Sequence, residues 1–284
     1  STNSSIGLIY ALKKIFKMKN NYLNTNDIRL KILKLLYKSK ASHLGSNMSV
    51  VEILTAIYSL IDIDKIKINS PDRSRVFISK GHCACATYSV MNSFGLIDDE
   101  TLSTYHSNNS LLAGHVSHSV EGVEHSTGAL GHGVSVALGA AIGLKSKKYE
   151  KNPLVFTLCG DGEIQEGSVW EAFMLAGHLK LNNFIVLIDY NKISSITNTN
   201  KVVNLEPLDK KFLSFGFNCV EVDGHNINSI YNEIINKAND KPLSIICHTV
   251  KGKGVSFAEN DPIWHYRTLT DELYQKAVNE LKNN

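Results

Sequence analysis

Between Pro153 and Asn191 the chain runs through an apolar segment, a glycine turn, an amphipathic segment and a second apolar segment, an order that few folds accommodate. Pro153–Cys159, PLVFTLC, has the length and composition of a buried strand and breaks at Gly160-Asp161-Gly162. From Glu166 to Leu181, residues Val169, Ala172, Phe173, Ala176 and Leu179 recur at helical spacing. Phe184–Ile188 reads as another strand and ends at Asp189-Tyr190-Asn191. Strand, turn, helix and strand make a βαβ unit with a right-handed crossover. Such folds bind ligands beyond the carboxyl ends of their strands. Asp161 and Asn191, 30 positions apart, both stand there.

A carboxylate and an amide oxygen at one point suit a hard divalent cation, Mg²⁺ or Ca²⁺, which completes its shell with phosphate oxygens and water. The helix after Gly162 turns its free N–H groups and positive dipole end to the same place. The pattern therefore predicts a metal-bound diphosphate. The plainer alternative is a tight turn and a loop-capping Asn, and the strand–helix–strand context favours the first.

The stretch GDGEIQEGSVWEAFMLAGHLKLNNFIVLIDYNKI resembles the thiamine diphosphate motif, in the form found in transketolases. Gln165-Glu166-Gly167, Glu171-Ala172 and Ala176-Gly177-His178-Leu179 carry the likeness beyond Gly-Asp-Gly and Asn. The resemblance implies an α/β fold: a doubly wound, mainly parallel sheet with helices on both faces. It implies thiamine diphosphate held through Mg²⁺ or Ca²⁺ by Asp161, Asn191 and the main-chain carbonyl of Ile193. Gly160, Gly162 and Glu163 would contact the cofactor, Ile193 and Ile196 would wall its cleft, and Glu166 would face the partner subunit.

Further segments resemble transketolase loops. Ser42-His43-Leu44-Gly45 is similar to Ser-Gly-His-Pro-Gly, with Ser42 and Leu44 in place of Gly and Pro. The resemblance puts His43 near the reacting carbon, and His82, in Ser79-Lys80-Gly81-His82, against cofactor phosphate or substrate. Gly114-His115 resembles the start of a Gly-His-Pro-Glu loop whose histidine touches the donor sugar, with Val116-Ser117 replacing Pro-Glu. Gly128-Ala129-Leu130-Gly131-His132-Gly133 is similar to Gly-Pro-Leu-Gly-Gln-Gly, which places the Gly128 backbone and Leu130 against the cofactor rings. His265, by a looser match, lies near the substrate channel. Read alone, His43 is more often a satisfied loop histidine, and His82 reads equally as a helix N-terminal residue or a ligand contact. The five histidines between His106 and His132 raise zinc as an alternative, against which their irregular spacing argues.

The 284 residues suffice for one large α/β domain, and residues 26–284 are assigned to it, with a Lys/Asn-rich arm at 1–25. A net charge of +3 gives no argument for nucleic acid or a membrane surface, and no apolar run has transmembrane length. Five cysteines without metal spacing fit a reducing cytoplasm. A helix is expected from Asn26 or Asp27, a second over Ser49–Leu60, a polar loop at Asn198–Lys201, and strands at Val220–Val222 and Leu243–His248. Lys251 and Lys253 read equally as a phosphate loop or a solvated basic turn.

Thiamine enzymes need a carboxylate beside the pyrimidine, which transketolases carry on a second domain. The resemblance, over roughly 26–280, is to the N-terminal subunit of a split transketolase. It implies a C-terminal partner subunit carrying the pyrimidine-binding domain and the catalytic glutamate, a heterotetramer, and ketol transfer from a ketose to an aldose. The competing expectations are a relative serving an unusual sugar, a deoxyxylulose phosphate synthase-like or 2-oxo acid dehydrogenase-like subunit, and a non-catalytic binding subunit.

Overall fold

A computed structural model of the chain describes residues 23–147, 149, 150 and 152–283. The expected N-terminal arm therefore lies outside the described residues up to position 22. Strands β1 (Arg75–Ile78), β2 (Val155–Gly160), β3 (Phe184–Tyr190), β4 (Asn218–Asp223) and β5 (Leu243–His248) form one sheet in the order β1-β2-β3-β5-β4. Every neighbouring pair is parallel. Parallel strands are buried on both faces, which is why β2 and β3 read as unbroken apolar runs.

The period of two divides each strand between two apolar layers. Phe156, Leu158, Ile185 and Leu187 join one, and Val155, Cys159, Phe184, Val186 and Ile188 the other. The first layer is covered by α1 (Thr25–Ser39), α3 (Val51–Leu60), α4 (Ala84–Ser93), α8 (Ile227–Ile235) and α9 (Asp271–Asn283). The second is covered by α5 (His132–Ser146), α6 (Gly167–His178) and α7 (Leu208–Ser214). The sheet with helices on both faces is the architecture expected. Cys83 and Cys85 are fully buried in the first layer, as small core residues.

Strand ends shift by one or two residues from expectation, β4 for example running Asn218–Asp223 where Val220–Val222 was expected, and three helical segments differ as well. Asn24, not Asn26 or Asp27, caps α1, because its side chain accepts from the Asn26 N–H at 2.9 Å and the helix starts at Thr25. The segment after His43 forms a separate short helix, α2 (Leu44–Met48), before α3 begins at Val51. Residues expected as a polar loop after Asn198 instead form a helical turn, Thr199–Val202, to which the Gln165 amide donates at Thr199 O and Val203 O, both 3.0 Å.

In the ladder Gly160 lies opposite Asp189. Asp161 and Asn191 therefore follow the ends of adjacent strands, at the same edge of the sheet.

Candidate cofactor and substrate site

Asp161 is 5% exposed, and both its oxygens are oriented by main-chain donors: Gly162 N–H on Oδ1 at 2.7 Å and Lys192 N–H on Oδ2. Burial, then the nearby Asp189 carboxylate, push its pKa up to about 7 against the pull of those N–H groups. Asn191 is held at both ends. Its Oδ1 accepts from Ile193 N–H at 3.0 Å, and its Nδ2 donates to Asp189 Oδ2 at 3.0 Å.

Asp189 is the buried hub behind them. Besides Asn191 it accepts from Ser49 Oγ at 2.7 Å, from Thr249 Oγ1 and from the Lys80 ammonium. Asp189 is fully buried and Lys80 2% exposed. Burial alone would raise the carboxyl and lower the ammonium, but their mutual attraction outweighs it, so both are held in the charged form.

The Ile193 carbonyl accepts from Lys251 Nζ at 3.1 Å, and Ser194 O from the same nitrogen at 2.7 Å. Lys251 is buried, which corrects the reading of a solvated basic turn. It gets there by crossing Gly45, where a Cβ would stand 3.0 Å from its Cγ. Burial, then the charge of Lys80, lower its pKa to about 8.

Asp161, Asn191, Ile193, Lys80 and Lys251 line one cavity of about 360 Å³, with Asp189 behind it. A carboxylate, an amide oxygen and a main-chain carbonyl are all hard oxygen donors with lone pairs to spare, and a buried carboxylate whose charge is unfavourable is what a divalent cation satisfies. Lys80 and Lys251 face the same space with positive charge, and Gly160 and Gly162 let a ligand approach the backbone. Leu130 and Ile196, both exposed, put apolar surface at the cavity wall. The residues present fit thiamine diphosphate with Mg²⁺ or Ca²⁺.

Glu163 lines the cavity, yet its carboxylate is taken up by its own chain: Ser79 Oγ and Gly131 N–H (3.0 Å) on one oxygen, Gly160 N–H (3.1 Å) on the other. It brackets the glycine loop against β2. Glu166 is exposed beside Gly131 and also lines the cavity, while Gly128 is exposed and outside its lining.

The structure brings His43, His82, His115 and His265 together. The His43 ring centroid is 5.5 Å from that of His82, 5.7 Å from His115 and 4.8 Å from His265. His82 and His265 line the cofactor cavity. His43 adopts a left-handed backbone (φ 71°), and its N–H donates to the His265 carbonyl at 3.1 Å. Asn47 pins the cluster from below, donating to the His43 carbonyl at 2.8 Å and the His82 carbonyl at 3.3 Å. Leu44 is buried, so the loop closes on the core where the related motif has Pro. Val116 is buried too, so of the Val116-Ser117 pair only Ser117 has surface to offer a ligand. Among the described residues no three His, Cys, Asp or Glu side chains are grouped to hold a metal.

Burial, then the charges of His115, Lys251 and Lys80, lower His43 to about 4. Burial, Lys251 and His43 lower His265 to about 3, and His82 and His115 are lowered by burial as well. Above pH 5 His43 and His265 are neutral, each with one N–H donor and one acceptor nitrogen. In the unfolded chain a histidine titrates near pH ~6.5, so between that value and about 4 the unfolded state binds more protons and stability falls as pH falls. Replacing His265 by Asn should flatten the decline in Tm with acid over this window. A Tm profile as steep as wild type would mean that His265 titrates normally.

Reasoning from sequence missed Lys80, Asp189, Ser49, Thr249 and Asn47. The one available signal was the lysine inside Ser79-Lys80-Gly81-His82, a charge at the mouth of an apolar strand.

Residues 20–282 match the family model described as the transketolase, thiamine diphosphate binding domain. This chain belongs to that family. The transketolase likeness extends to individual proteins. An apulose-4-phosphate transketolase subunit of Actinobacillus succinogenes is 39% identical over 239 residues, covering 83% of this chain and 86% of that one. The 6-deoxy-6-sulfo-D-fructose transketolase subunit SqwG of a Clostridium species is 36% identical, with the same coverage. Campylobacter jejuni transketolase superposes with a TM-score of 0.78 at 28% identity, over 91% of this chain and 42% of its own. The chain thus spans less than half of that transketolase chain. It is a thiamine diphosphate-binding transketolase domain, and no helix among its described residues is long and apolar enough to cross a membrane.

Proposed function

We propose that this chain is the cofactor-binding half of a split transketolase, moving a two-carbon ketol unit from a ketose to an aldose. The observation that carries this is one cleft in which Asp161, Asn191 and the Ile193 carbonyl share walls with His82 and His265, against which His43 and His115 cluster. Thiamine diphosphate, when bound, supplies the carbanion chemistry. Asp161, Asn191 and Ile193 hold its diphosphate through Mg²⁺ or Ca²⁺, and Lys80 and Lys251 balance the negative charge. His43, His82, His115 and His265 donate to and accept from substrate hydroxyls and move their protons. Leu130 and Ile196, at the cavity wall, support the ring system.

The glutamate beside the pyrimidine comes from a partner chain. Three relatives that match over most of their own length are themselves named as subunits of a transketolase, which supports this division. The face offered to the partner is the outer side of α5 and α6, where Val136, Ile142, Met174 and Leu175 are exposed and the α-carbons of Gly139 and Gly143 open to free space. Two copies of each chain make a closed heterotetramer, the symmetric default. The free, mostly buried thiols fit work in the cytoplasm. The relatives are named for apulose-4-phosphate and 6-deoxy-6-sulfo-D-fructose, which supports an unusual sugar as substrate here too.

His115→Ala tests the assignment. It removes a hydrogen bond to a sugar hydroxyl without touching the diphosphate site. Turnover by the reconstituted pair should fall by roughly ten- to a hundredfold, equivalent to ~1–3 kcal/mol, with thiamine diphosphate affinity nearly unchanged. Wild-type turnover on every donor would remove the loop from the substrate site.

A further inference from the structure

His225 lies in the loop between β4 and α8, outside every motif named above. We propose that it is a positioning residue for the cofactor site: its neutral imidazole holds the turn at 249–252 and, through that turn, the Lys251 ammonium. The inference rests on the reading that Lys251 serves the diphosphate.

The support begins at a buried ion pair. Arg29 of α1 and Glu52 of α3 are 3% and 4% exposed, and they meet through two bonds, Nη1 to Oε1 at 2.7 Å and Nη2 to Oε2 at 2.8 Å. His225 Nδ1 stands 3.0 Å from the same Oε2. Burial alone would raise the Glu52 carboxyl, but the bonds from His225 and Arg29 lower it to about 2. An ionised carboxylate only accepts, so Nδ1 carries the proton. On the far side of the ring the Val250 N–H donates to Nε2 at 2.8 Å. A main-chain N–H only donates, so Nε2 is bare. The two neighbours together select one tautomer of the neutral ring.

The ring reaches Val250 because its loop runs against the end of β5. Gly224 N–H donates to the His248 carbonyl at 2.8 Å, and a Cβ at Gly224 would collide with Thr249 Cγ2 and stand 2.9 Å from that carbonyl oxygen. The glycine before His225 thus admits this approach.

The turn that receives the bond serves the site on both sides of Val250. Before it, Thr249 Oγ1 donates to Asp189, the hub that orients Asn191. After it, Lys251 Nζ donates to the Ile193 and Ser194 carbonyls, and Gly252 N–H to the Gly45 carbonyl at 2.9 Å. A shift of the Val250 backbone therefore moves a buried ammonium relative to a carbonyl assigned to the metal. Glu52 orients His225, His225 fixes Val250, and the turn delivers Lys251.

The two bonds of the ring can be removed one at a time. In His225→Gln the side-chain oxygen reaches the Nε2 position and still accepts from Val250, whereas the bond to Glu52 is lost. In His225→Asn the amide keeps a donor toward Glu52, and nothing reaches Val250. Two quantities are measured: thiamine diphosphate affinity of the reconstituted pair with Mg²⁺, and hydrogen exchange across residues 249–252 in this chain without cofactor. His225→Asn should bind the cofactor about tenfold more weakly and exchange the Val250 N–H about tenfold faster, as for one lost hydrogen bond. His225→Gln should match wild type in both. Wild-type affinity and exchange in His225→Asn, or equal losses in the two variants, would overturn the inference, the second by showing that the ring only fills space. If His225→Asn does not fold, His225→Gln decides: a match with wild type supports the inference, and weaker binding or faster exchange overturns it. Lys251→Met tests the parent reading separately. Cofactor binding as tight as wild type in that variant would show that the turn does not serve the diphosphate, and the role of His225 would fall with it.

Discussion

Asp161→Ala should weaken thiamine diphosphate binding in the presence of Mg²⁺ by at least about a hundredfold. The variant deletes the only anionic member of the oxygen set formed with Asn191 and the Ile193 carbonyl. Removing one charged partner from a buried ionic contact costs about 3–5 kcal/mol, which is a factor of roughly 100 or more in affinity. Chelating the metal from wild type should produce the same loss. The variant should nonetheless fold. With a pKa pushed up to about 7, ionised Asp161 lowers the stability of the metal-free protein above that pH, so its removal relieves a cost even as two N–H groups lose their acceptor. The metal-free Tm is therefore expected within a few degrees of wild type. Titration calorimetry with and without Mg²⁺, paired with a melting curve, checks both halves. Wild-type affinity in the variant would rule out the metal site.

Lys80→Met should be the most damaging single change to stability, lowering it by about 3–5 kcal/mol. The ammonium is the charge partner of Asp189, which is fully buried and cannot regain water. Left alone, that carboxylate would keep its hydroxyl and amide donors, Ser49, Thr249 and Asn191, but no counter-charge. Its pKa should rise, and the Asn191 amide it orients should loosen. The double variant Lys80→Met, Asp189→Asn removes both charges and retains an acceptor for the hydroxyls, so it should recover much of the loss. Urea unfolding of the four proteins in the cycle measures the coupling. Additive single effects would show that the pair contributes nothing beyond its two members.

The parts legible in the sequence are those whose signal is local. The runs PLVFTLC and Phe184–Ile188 are apolar throughout because both faces of β2 and β3 are covered, and glycine marks where β2 stops. The βαβ connection then fixes the approach of Asp161 to Asn191, which the opposition of Gly160 and Asp189 bears out. The illegible parts are side-chain meetings across long separations. Lys80 and Asp189 lie 109 positions apart, and neither residue's neighbours specify the other. Lys251 reads equally as a phosphate-loop or a solvated lysine because lysine is rarely buried, and only its passage over Gly45 explains where it goes. Glu163 sits inside a cofactor motif, yet its oxygens hold Gly131 and Gly160, a role set by the loop that folds back onto β2. The start of α1 is not legible because Asn24, Thr25, Asn26 and Asp27 all suit a cap, and packing chooses among them.

The central claim is that this chain holds the cofactor and a second chain completes the catalyst. The most direct test is ketol transfer measured with this chain, with a partner carrying the pyrimidine-side domain, and with both, all in the presence of thiamine diphosphate and Mg²⁺. The account predicts turnover by the mixture and none by either chain alone, with the rate saturating at equal amounts of the two. Sustained turnover by this chain alone, free of any partner, would contradict it.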